Sequence, residues 1–125
     1  YHSGDTGFFE GFRTIGRVFP GIDAAILPLG AFAPRWMMQQ QHMDPAESVA
    51  AFQMLGARHL LGMHWGTFDL TDEPLDHGPF EVLPAAVQAA AVDPRAMQVL
   101  AHGGVMALGE EERVIGAAGV PGLGL

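Results

Sequence analysis

The sequence contains no cysteine, no lysine and no apolar run long enough to cross a membrane. Without cysteine the chain has neither a disulfide framework nor thiolate ligands, so a transition metal would need His, Asp or Glu side chains. A membrane-spanning helix takes ~20 consecutive apolar residues, and no stretch of this sequence approaches that length. These absences predict a protein with no transmembrane segment and no disulfide.

Positive charge is also scarce, because the chain carries 6 basic residues, all arginine, against 14 acidic ones, for a formal net charge of −8. A surface this acidic does not bind nucleic acid or an anionic membrane by charge alone, so we expect neither as a partner. The first residues lack the basic segment and apolar run of a signal peptide. A cytoplasmic location is therefore the default expectation.

The length of 125 residues and the apolar fraction of 49% suit one small globular domain rather than a disordered chain. Apolar residues recur at helical spacing from Phe8 to Phe19, which predicts a first helix. Residues 22–29 form a short apolar run that is typical of a buried strand. The mixed polarity of residues 30–43 predicts an irregular loop.

The clearest local signal lies at residues 44–47 (DPAE), where an N-cap aspartate is followed by proline and, at the third helical position, by glutamate. The helix that begins there should bury Val49, Phe52 and Leu55 and should end at Gly56.

The remaining segments continue the alternation of strands and helices. Residues 59–65 predict a second strand, residues 79–92 a third helix and residues 97–108 a hairpin, while the glycine-rich tail from Gly116 onward should be loose. Strands that alternate with helices indicate an α/β fold.

Three polar side chains, Asp5, His42 and His64, fall in loops or at the ends of predicted strands. Each also has an ordinary interpretation: Asp5 could cap a helix, His42 could be an exposed loop residue and His64 a hydrogen-bonded core histidine. Functional groups of α/β sheets gather at the carboxyl ends of strands, where Asp5 and His64 both fall. Because aspartate and histidine suit zinc, iron or manganese, these two residues are candidate metal ligands.

Four motifs follow one another in an order that resembles a known family. They are residues 4–7 (GDTG), residues 27–31 (LPLGA) with 34–37 (PRWM), residues 41–45 (QHMDP) and residues 64–68 (HWGTF). Together they resemble the C-terminal half of a metallo-β-lactamase-fold hydrolase, and they are most similar to the branch that contains N-acylphosphatidylethanolamine-hydrolysing phospholipase D. The resemblance implies an α/β fold that is half of an αββα sandwich, a mixed sheet with helices on its outer face.

The resemblance also implies a role for each matched residue. Asp5 corresponds to a catalytic aspartate that bridges two zinc ions, and His64 to the last histidine ligand of one of them. His42 corresponds to a catalytic histidine beside the metal centre that contacts the substrate or its leaving group. Trp36 and Met37 could line a groove for an apolar substrate, but the ordinary interpretation, that they fill space under the loop, is slightly favoured. Trp65 and Phe68 are expected to pack behind the loop that carries the His64 ligand.

The sequence departs from the family pattern because it lacks the His-x-His-x-Asp-His motif that supplies most of the metal ligands. A catalytic zinc uses three or more protein ligands, so Asp5 and His64 cannot hold one alone. We therefore expect residues 1–125 to be the C-terminal half of a single metallo-β-lactamase-fold domain that needs its N-terminal half as a partner. Alone, such a half exposes the inner face of its sheet, so it should aggregate or be inactive. A homo-oligomer is a further option.

The resemblance predicts a zinc-dependent hydrolase, a phosphodiesterase of phospholipase D type that acts on a phosphodiester or lipid-like substrate through metal-activated water. Hydrolysis of a lactone or another ester at the same metal centre is the second interpretation, because a fold does not fix the substrate. The third is an inactive fragment or half-domain that acts only with a partner chain.

Overall fold

A computed structural model describes residues 1–108 of the chain, and helices alternate with short strands along this range. The α/β order that the sequence predicts is therefore confirmed, and the predicted loose tail from Gly116 onward lies outside the described residues. The elements are α1 (Gly11–Val18), β1 (Ala24–Pro28), α2 (Arg35–Met38), α3 (Pro45–Leu55), β2 (His59–Met63), a π-helical turn (Gly78–Val82) that continues into α4 (Leu83–Ala89), a 3-10 turn (Pro94–Ala96) and β3 (Met97–Gln98).

The sheet has the strand order β1-β2-β3, and both pairings are parallel. Residues 1–3 extend it beyond the other edge of β1, where His2 forms a parallel bridge with Ile26. The N–H of Ile26 donates to the carbonyl oxygen of Tyr1 at 2.8 Å. Strands β1, β2 and β3 are thus all parallel, whereas the resemblance implied a mixed sheet.

Helices α1, α3 and α4 cover one face of the sheet, as the resemblance implied. The side chains of Ala25, Leu27 and Leu60 point into this layer and are completely buried. The hydroxyl of Ser48 on α3 is also buried, and it donates to the carbonyl oxygen of Pro28 at 2.6 Å. Helix α3 is thereby fixed to the end of β1, because a buried hydroxyl needs a hydrogen-bond partner.

The opposite face of the sheet carries Ile26, Leu61 and Met63, which are only partly buried. They line a cavity of about 570 Å³ whose other wall is the loop that follows His64. Within residues 1–108, none of the helices has the length and apolarity that crossing a bilayer requires.

Helix α3 begins and ends as the sequence predicts. Asp44 accepts the N–H of Glu47 at 2.8 Å, and the Glu47 carboxylate accepts the N–H of Asp44 at 3.1 Å, which completes a capping box. Val49, Phe52 and Leu55 are buried. Gly56 ends the helix in the left-handed region, with φ 63°, where glycine carries no steric penalty.

Three segments differ from their sequence-based predictions. The predicted loop at 30–43 contains the short helix α2, which follows Pro34. Helix α1 begins only at Gly11, later than the apolar pattern starts. The predicted hairpin at 97–108 has its turn, where the N–H of Gly104 donates to Ala101 at 2.7 Å, but β3 pairs in parallel with β2.

The capping box leads to a prediction about stability. Asp44→Ala should lower the free energy of unfolding by about 1 kcal/mol, because one backbone N–H at the start of α3 loses its acceptor. Urea unfolding of the intact protein measures the loss. The matched control is Asp23→Ala, which removes only an exposed ion pair with Arg58 at 3.4 Å and should change little. Equal losses in both variants would contradict the capping role.

Candidate active site

Three loops meet at the carboxyl edge of the parallel sheet. Asp5 follows the edge segment 1–3, Gly30 follows β1, and His64 follows β2 directly. Parallel strands bring their carboxyl ends to one edge, which is where α/β sheets bind ligands. Helix α1 begins at Gly11 with Glu10 at its N-cap position, so Asp5 is not its capping residue.

Gly30 and the turn at His64 pack against each other through their backbones. A Cβ atom added to Gly30 would lie 2.5 Å from the carbonyl oxygen of His64 and 3.1 Å from the Cα of Trp65. His64 itself has φ 59°, in the left-handed region. That conformation costs a non-glycine residue about 1–3 kcal/mol, so the surrounding contacts must hold it in place.

The contacts of the His64 ring assign its protons. Nδ1 lies 3.3 Å from the carbonyl oxygen of Gly30, which can only accept, so Nδ1 carries the hydrogen. Nε2 then faces Oδ1 of Asp5 at 3.2 Å. In the neutral ring Nε2 presents a lone pair to a carboxylate, so two acceptors face each other and a cation or a second proton is needed between them.

His42 lies on the other side of His64. The centroids of the two rings are 5.3 Å apart, with an angle of 31° between their planes. The Nδ1 atom of His42 is buried and has no hydrogen-bond partner among residues 1–108. Buried polar atoms are nearly always paired, so this nitrogen is an exception within the part of the chain that the structure describes.

Backbone contacts hold the loops of Asp5 and His42 together. The N–H of Met43 donates to the carbonyl oxygen of Thr6 at 3.1 Å. Gly7 approaches the same loop so closely that an added Cβ would lie 2.5 Å from the carbonyl oxygen of Gln40. The structure thus brings Asp5, His42 and His64 together, while their chemical roles stay predictions.

The other predicted substrate contacts lie apart from the cavity. Trp36 and Met37 are 75% and 56% exposed on α2, and the cavity is lined by other residues. Trp65 packs behind His64 as expected, with its ring 5.5 Å from that of Phe80. Phe68, expected beside it, is 73% exposed, so that expectation is wrong. Phe68 lines the outer wall of the cavity instead.

The donor set at this edge fits a divalent metal ion only in part. Asp5 offers a carboxylate, and His64 offers Nε2 with its other ring nitrogen oriented by a backbone carbonyl, which is the usual arrangement of a metal-binding histidine. Within residues 1–108 no three His, Asp or Glu side chains cluster closely enough to hold a metal. The two residues are thus a partial ligand set.

Two residues that contact this region escaped the sequence-based interpretation. His102 lines the cavity, and its ring lies 5.2 Å from that of Trp65. Arg35 donates a hydrogen bond to the carbonyl oxygen of His42 at 2.9 Å. Arg35 belongs to the 34–37 motif, but neither its contact nor that of His102 could be predicted from local sequence, because both contacts depend on how distant segments meet.

A parallel sheet covered by helices on one face, with a carboxylate and an imidazole converging at its carboxyl edge, defines an α/β protein with a candidate polar site at that edge. Residues 1–65 match the family model described as the beta-lactamase superfamily domain. The chain therefore belongs to this superfamily, and its fold agrees with half of a metallo-β-lactamase sandwich.

Several curated proteins are similar to the chain. N-acyl-phosphatidylethanolamine-hydrolyzing phospholipase D 1 of Caenorhabditis elegans is 41% identical over 71 residues, which is 56% of this chain and 20% of the relative. The mitochondrial enzyme of that name from Saccharomyces cerevisiae is 39% identical over 75 residues, 58% of this chain and 16% of the relative. A metal-dependent hydrolase of Nitratidesulfovibrio vulgaris is 38% identical over 73 residues, 58% of this chain and 27% of the relative.

The chain thus spans between 16% and 27% of the length of these relatives. A solved metallo hydrolase from Ignicoccus hospitalis superposes with a TM-score of 0.49 at 23% identity, over 78% of this chain and 35% of its own.

The close approach at Gly30 generates a prediction. In Gly30→Ala the added methyl group meets backbone atoms of His64 that cannot give way. We expect the His64 ring to move and the metal affinity of the intact protein to fall about 10-fold or more, the scale on which ligand-orienting contacts act. Competition with a zinc chelator measures the affinity.

The control is Gly11→Ala, where the three atoms nearest to the added methyl belong to the exposed side chain of Phe9 rather than to the backbone. Its metal affinity should equal that of the wild type. Unchanged affinity in Gly30→Ala would show that the backbone contact does not position His64.

Glu73 is a buried carboxylate that fastens the loop after His64 to the segment before α2. It accepts the N–H groups of Phe32 and Ala33, both at 3.0 Å. Burial opposes ionisation, but these bonds, together with those from its own N–H and from Thr71, hold the pKa of Glu73 below its ordinary value.

This lowered pKa predicts how stability depends on pH. The contribution of Glu73 is complete above the ordinary pKa of a glutamate and is lost as pH falls through the lowered value. Glu73→Gln should therefore unfold more easily at neutral pH and lose less stability in acid than the wild type does. Urea unfolding at neutral and acidic pH measures both effects, with the exposed Glu81→Gln as control. Parallel pH profiles for Glu73→Gln and wild type would contradict this role.

Proposed function

We propose that the intact protein is a metal-dependent hydrolase that uses zinc, with Asp5 and His64 among its metal ligands. The observation that carries the proposal is the 3.2 Å contact between Nε2 of His64 and Oδ1 of Asp5. With Nδ1 engaged by the Gly30 carbonyl oxygen, both facing atoms are acceptors. A divalent cation satisfies them together and leaves the ring in its neutral form.

A catalytic zinc needs three or more protein ligands, and this part of the chain offers two. We therefore propose that the remaining ligands come from an N-terminal half of the fold that pairs with this one. The sheet face with Ile26, Leu61 and Met63, which faces a cavity and a loop rather than a layer of helices, supports this arrangement, because partly buried apolar residues around a large cavity favour a covering layer.

Zinc at such a site lowers the pKa of a bound water to about 7 and offsets anionic charge on the substrate. Asp5 lies in the loop that packs at Gly7 against the backbone of residue 40, and it would be one ligand of the metal. His64, whose ring is oriented by the carbonyl oxygen of Gly30, would be another.

In this proposal His42 assists the leaving group. Its ring lies 5.3 Å from that of His64, so it borders the Asp5–His64 pair. An imidazole there can donate a hydrogen bond or a proton to the oxygen that departs. Among the described residues, the Nδ1 atom of His42 has no hydrogen-bond partner.

The proposed substrate is a phosphodiester of phospholipid type. Two of the similar proteins are named N-acyl-phosphatidylethanolamine-hydrolyzing phospholipase D, which supports this class. A net charge of −8 does not exclude an anionic substrate, because metal ions dominate the field inside such a site. Trp36 and Met37 lie six and five residues before His42 and are exposed on α2, and we propose that they contact the apolar part of the substrate.

The decisive test removes the two ligands one at a time. Asp5→Asn and His64→Ala in the intact protein should lose bound metal and hydrolytic activity together, each by at least about 10-fold. Elemental analysis and hydrolysis of a phosphodiester panel measure the two quantities. Asp23→Asn and His77→Ala change the same residue types away from the site and should retain both. Normal metal content in either ligand variant would refute its assignment.

The same panel separates the substrate classes. Phosphodiesters with long acyl chains should be hydrolysed faster than lactones of sugars. Faster lactone hydrolysis would assign the metal centre to the alternative ester chemistry. An intact protein that binds metal and hydrolyses neither class would contradict the proposed enzyme function.

A further inference from the structure

Arg35 is the first residue of α2, and its guanidinium contacts four acceptors on different segments. Nη1 donates to the carbonyl oxygen of His42 at 2.9 Å and to that of Phe32 at 3.4 Å. Nη2 donates to the Glu47 carboxylate at 2.7 Å, and Nε lies 3.6 Å from that of Asp44. All three nitrogens of the group are therefore engaged.

The backbone around His42 is held at three successive points. Its N–H donates to the carbonyl oxygen of Met38 at 2.8 Å, and the following N–H, of Met43, donates to Thr6 beside Asp5 at 3.1 Å. The carbonyl oxygen of His42 accepts only from Arg35 among the described residues. Arg35 thus holds the carbonyl oxygen of the peptide group whose N–H, that of Met43, is bonded to Thr6.

The two carboxylates in turn fix the guanidinium. Glu47 and Asp44 form the capping box of α3, so their positions depend on a buried helix rather than on the loop. The side chain of Arg35 is about one-third exposed, as is that of Glu47. Arg35 thereby holds the loop that carries His42 at a fixed position relative to helix α3, because its planar guanidinium bonds acceptors on both at once.

We propose that Arg35 is a positioning residue that orients His42 toward the Asp5–His64 pair. The inference rests on the proposed function, in which His42 contacts the leaving group of the substrate. A misplacement of about 1 Å in such a group can lower the rate 100-fold without disturbing the fold. A purely structural role of Arg35 at the start of α3 would instead change stability and leave the rate per folded molecule unchanged.

The test compares Arg35→Lys with Arg58→Lys in the intact protein. Lysine keeps the charge but has one nitrogen, which cannot reach four acceptors on different segments. Arg58 makes only an exposed pair with Asp23 at 3.4 Å, so its variant is the matched control. The measured quantities are kcat and KM with a phosphodiester substrate, metal content and Tm.

We expect Arg35→Lys to lower kcat about 10- to 100-fold, with KM, metal content and Tm close to those of Arg58→Lys. An unchanged kcat would overturn the inference. A loss of kcat that only parallels losses of metal or of folded protein would also overturn it, because that result assigns Arg35 a structural role.

Glu47→Gln provides a second variant if Arg35→Lys does not fold. Oε2 of Glu47 accepts from both the N–H of Asp44 and Nη2 of Arg35, so the amide oxygen of glutamine can preserve the capping box while the negative charge opposite Arg35 is removed. A smaller fall in kcat at wild-type Tm is expected, and a wild-type kcat with unmoved ring signals of His42 would overturn the inference.

A readout independent of activity separates this inference from the proposed function. In intact protein labelled with ¹⁵N-histidine, Arg35→Lys should shift the ring signals of His42, assigned with His42→Asn, and leave those of His77 in place. Unmoved His42 signals would overturn the positioning role. Absence of hydrolysis by the wild type would overturn the proposed function alone.

Discussion

The candidate site depends on the close contact between the backbone of Gly30 and the turn at His64. Two adjacent parallel strands end at this point, and only a residue without a side chain lets their ends approach so closely. The contact holds His64 in a left-handed conformation and places a carbonyl oxygen against its Nδ1. Nε2 is thereby turned toward Asp5, so the position of the Gly30 carbonyl oxygen determines which ring nitrogen of His64 carries the proton.

The loops around this contact are tied together by charged side chains rather than by apolar packing. Glu73 binds the backbone N–H groups just before α2 and so joins that segment to the loop beside the cavity. Arg35 binds the carbonyl oxygen of His42, after α2, and the carboxylate of Glu47 on helix α3. Both act on backbone groups, and both are charged, so their contribution depends on partial burial and on several hydrogen bonds each. In a chain with net charge −8, Arg35 pairs with two carboxylates and offsets one of their two negative charges.

Local sequence patterns predicted the parts of the fold that local physics determines. The capping residues at 44–47, the end of the helix at Gly56 and the two apolar strands all depend on neighbours within one or two turns, and the structure has them where expected. The convergence of Asp5 and His64 could also be predicted, because parallel strands place their carboxyl ends together.

Features that depend on contacts between distant segments could not be predicted. The parallel pairing of β3 with β2 joins segments that are distant in the sequence, and the apolar residues of β3 are equally compatible with half of a hairpin. The exposure of Phe68 depends on where its loop turns, which hydrophobicity alone does not specify. The four contacts of Arg35 likewise required the structure, since its acceptors are spread from Phe32 to Glu47.

The central claim is that backbone contacts present Nε2 of His64, without a proton, to a metal ion shared with Asp5. The most direct measurement is a ¹H–¹⁵N correlation of histidine rings in the intact protein loaded with zinc, with His64 assigned by its alanine variant. The account predicts that His64 carries its proton on Nδ1 and that its Nε2 signal shifts when zinc is added. A proton on Nε2, or an Nε2 signal that does not respond to zinc, would contradict it.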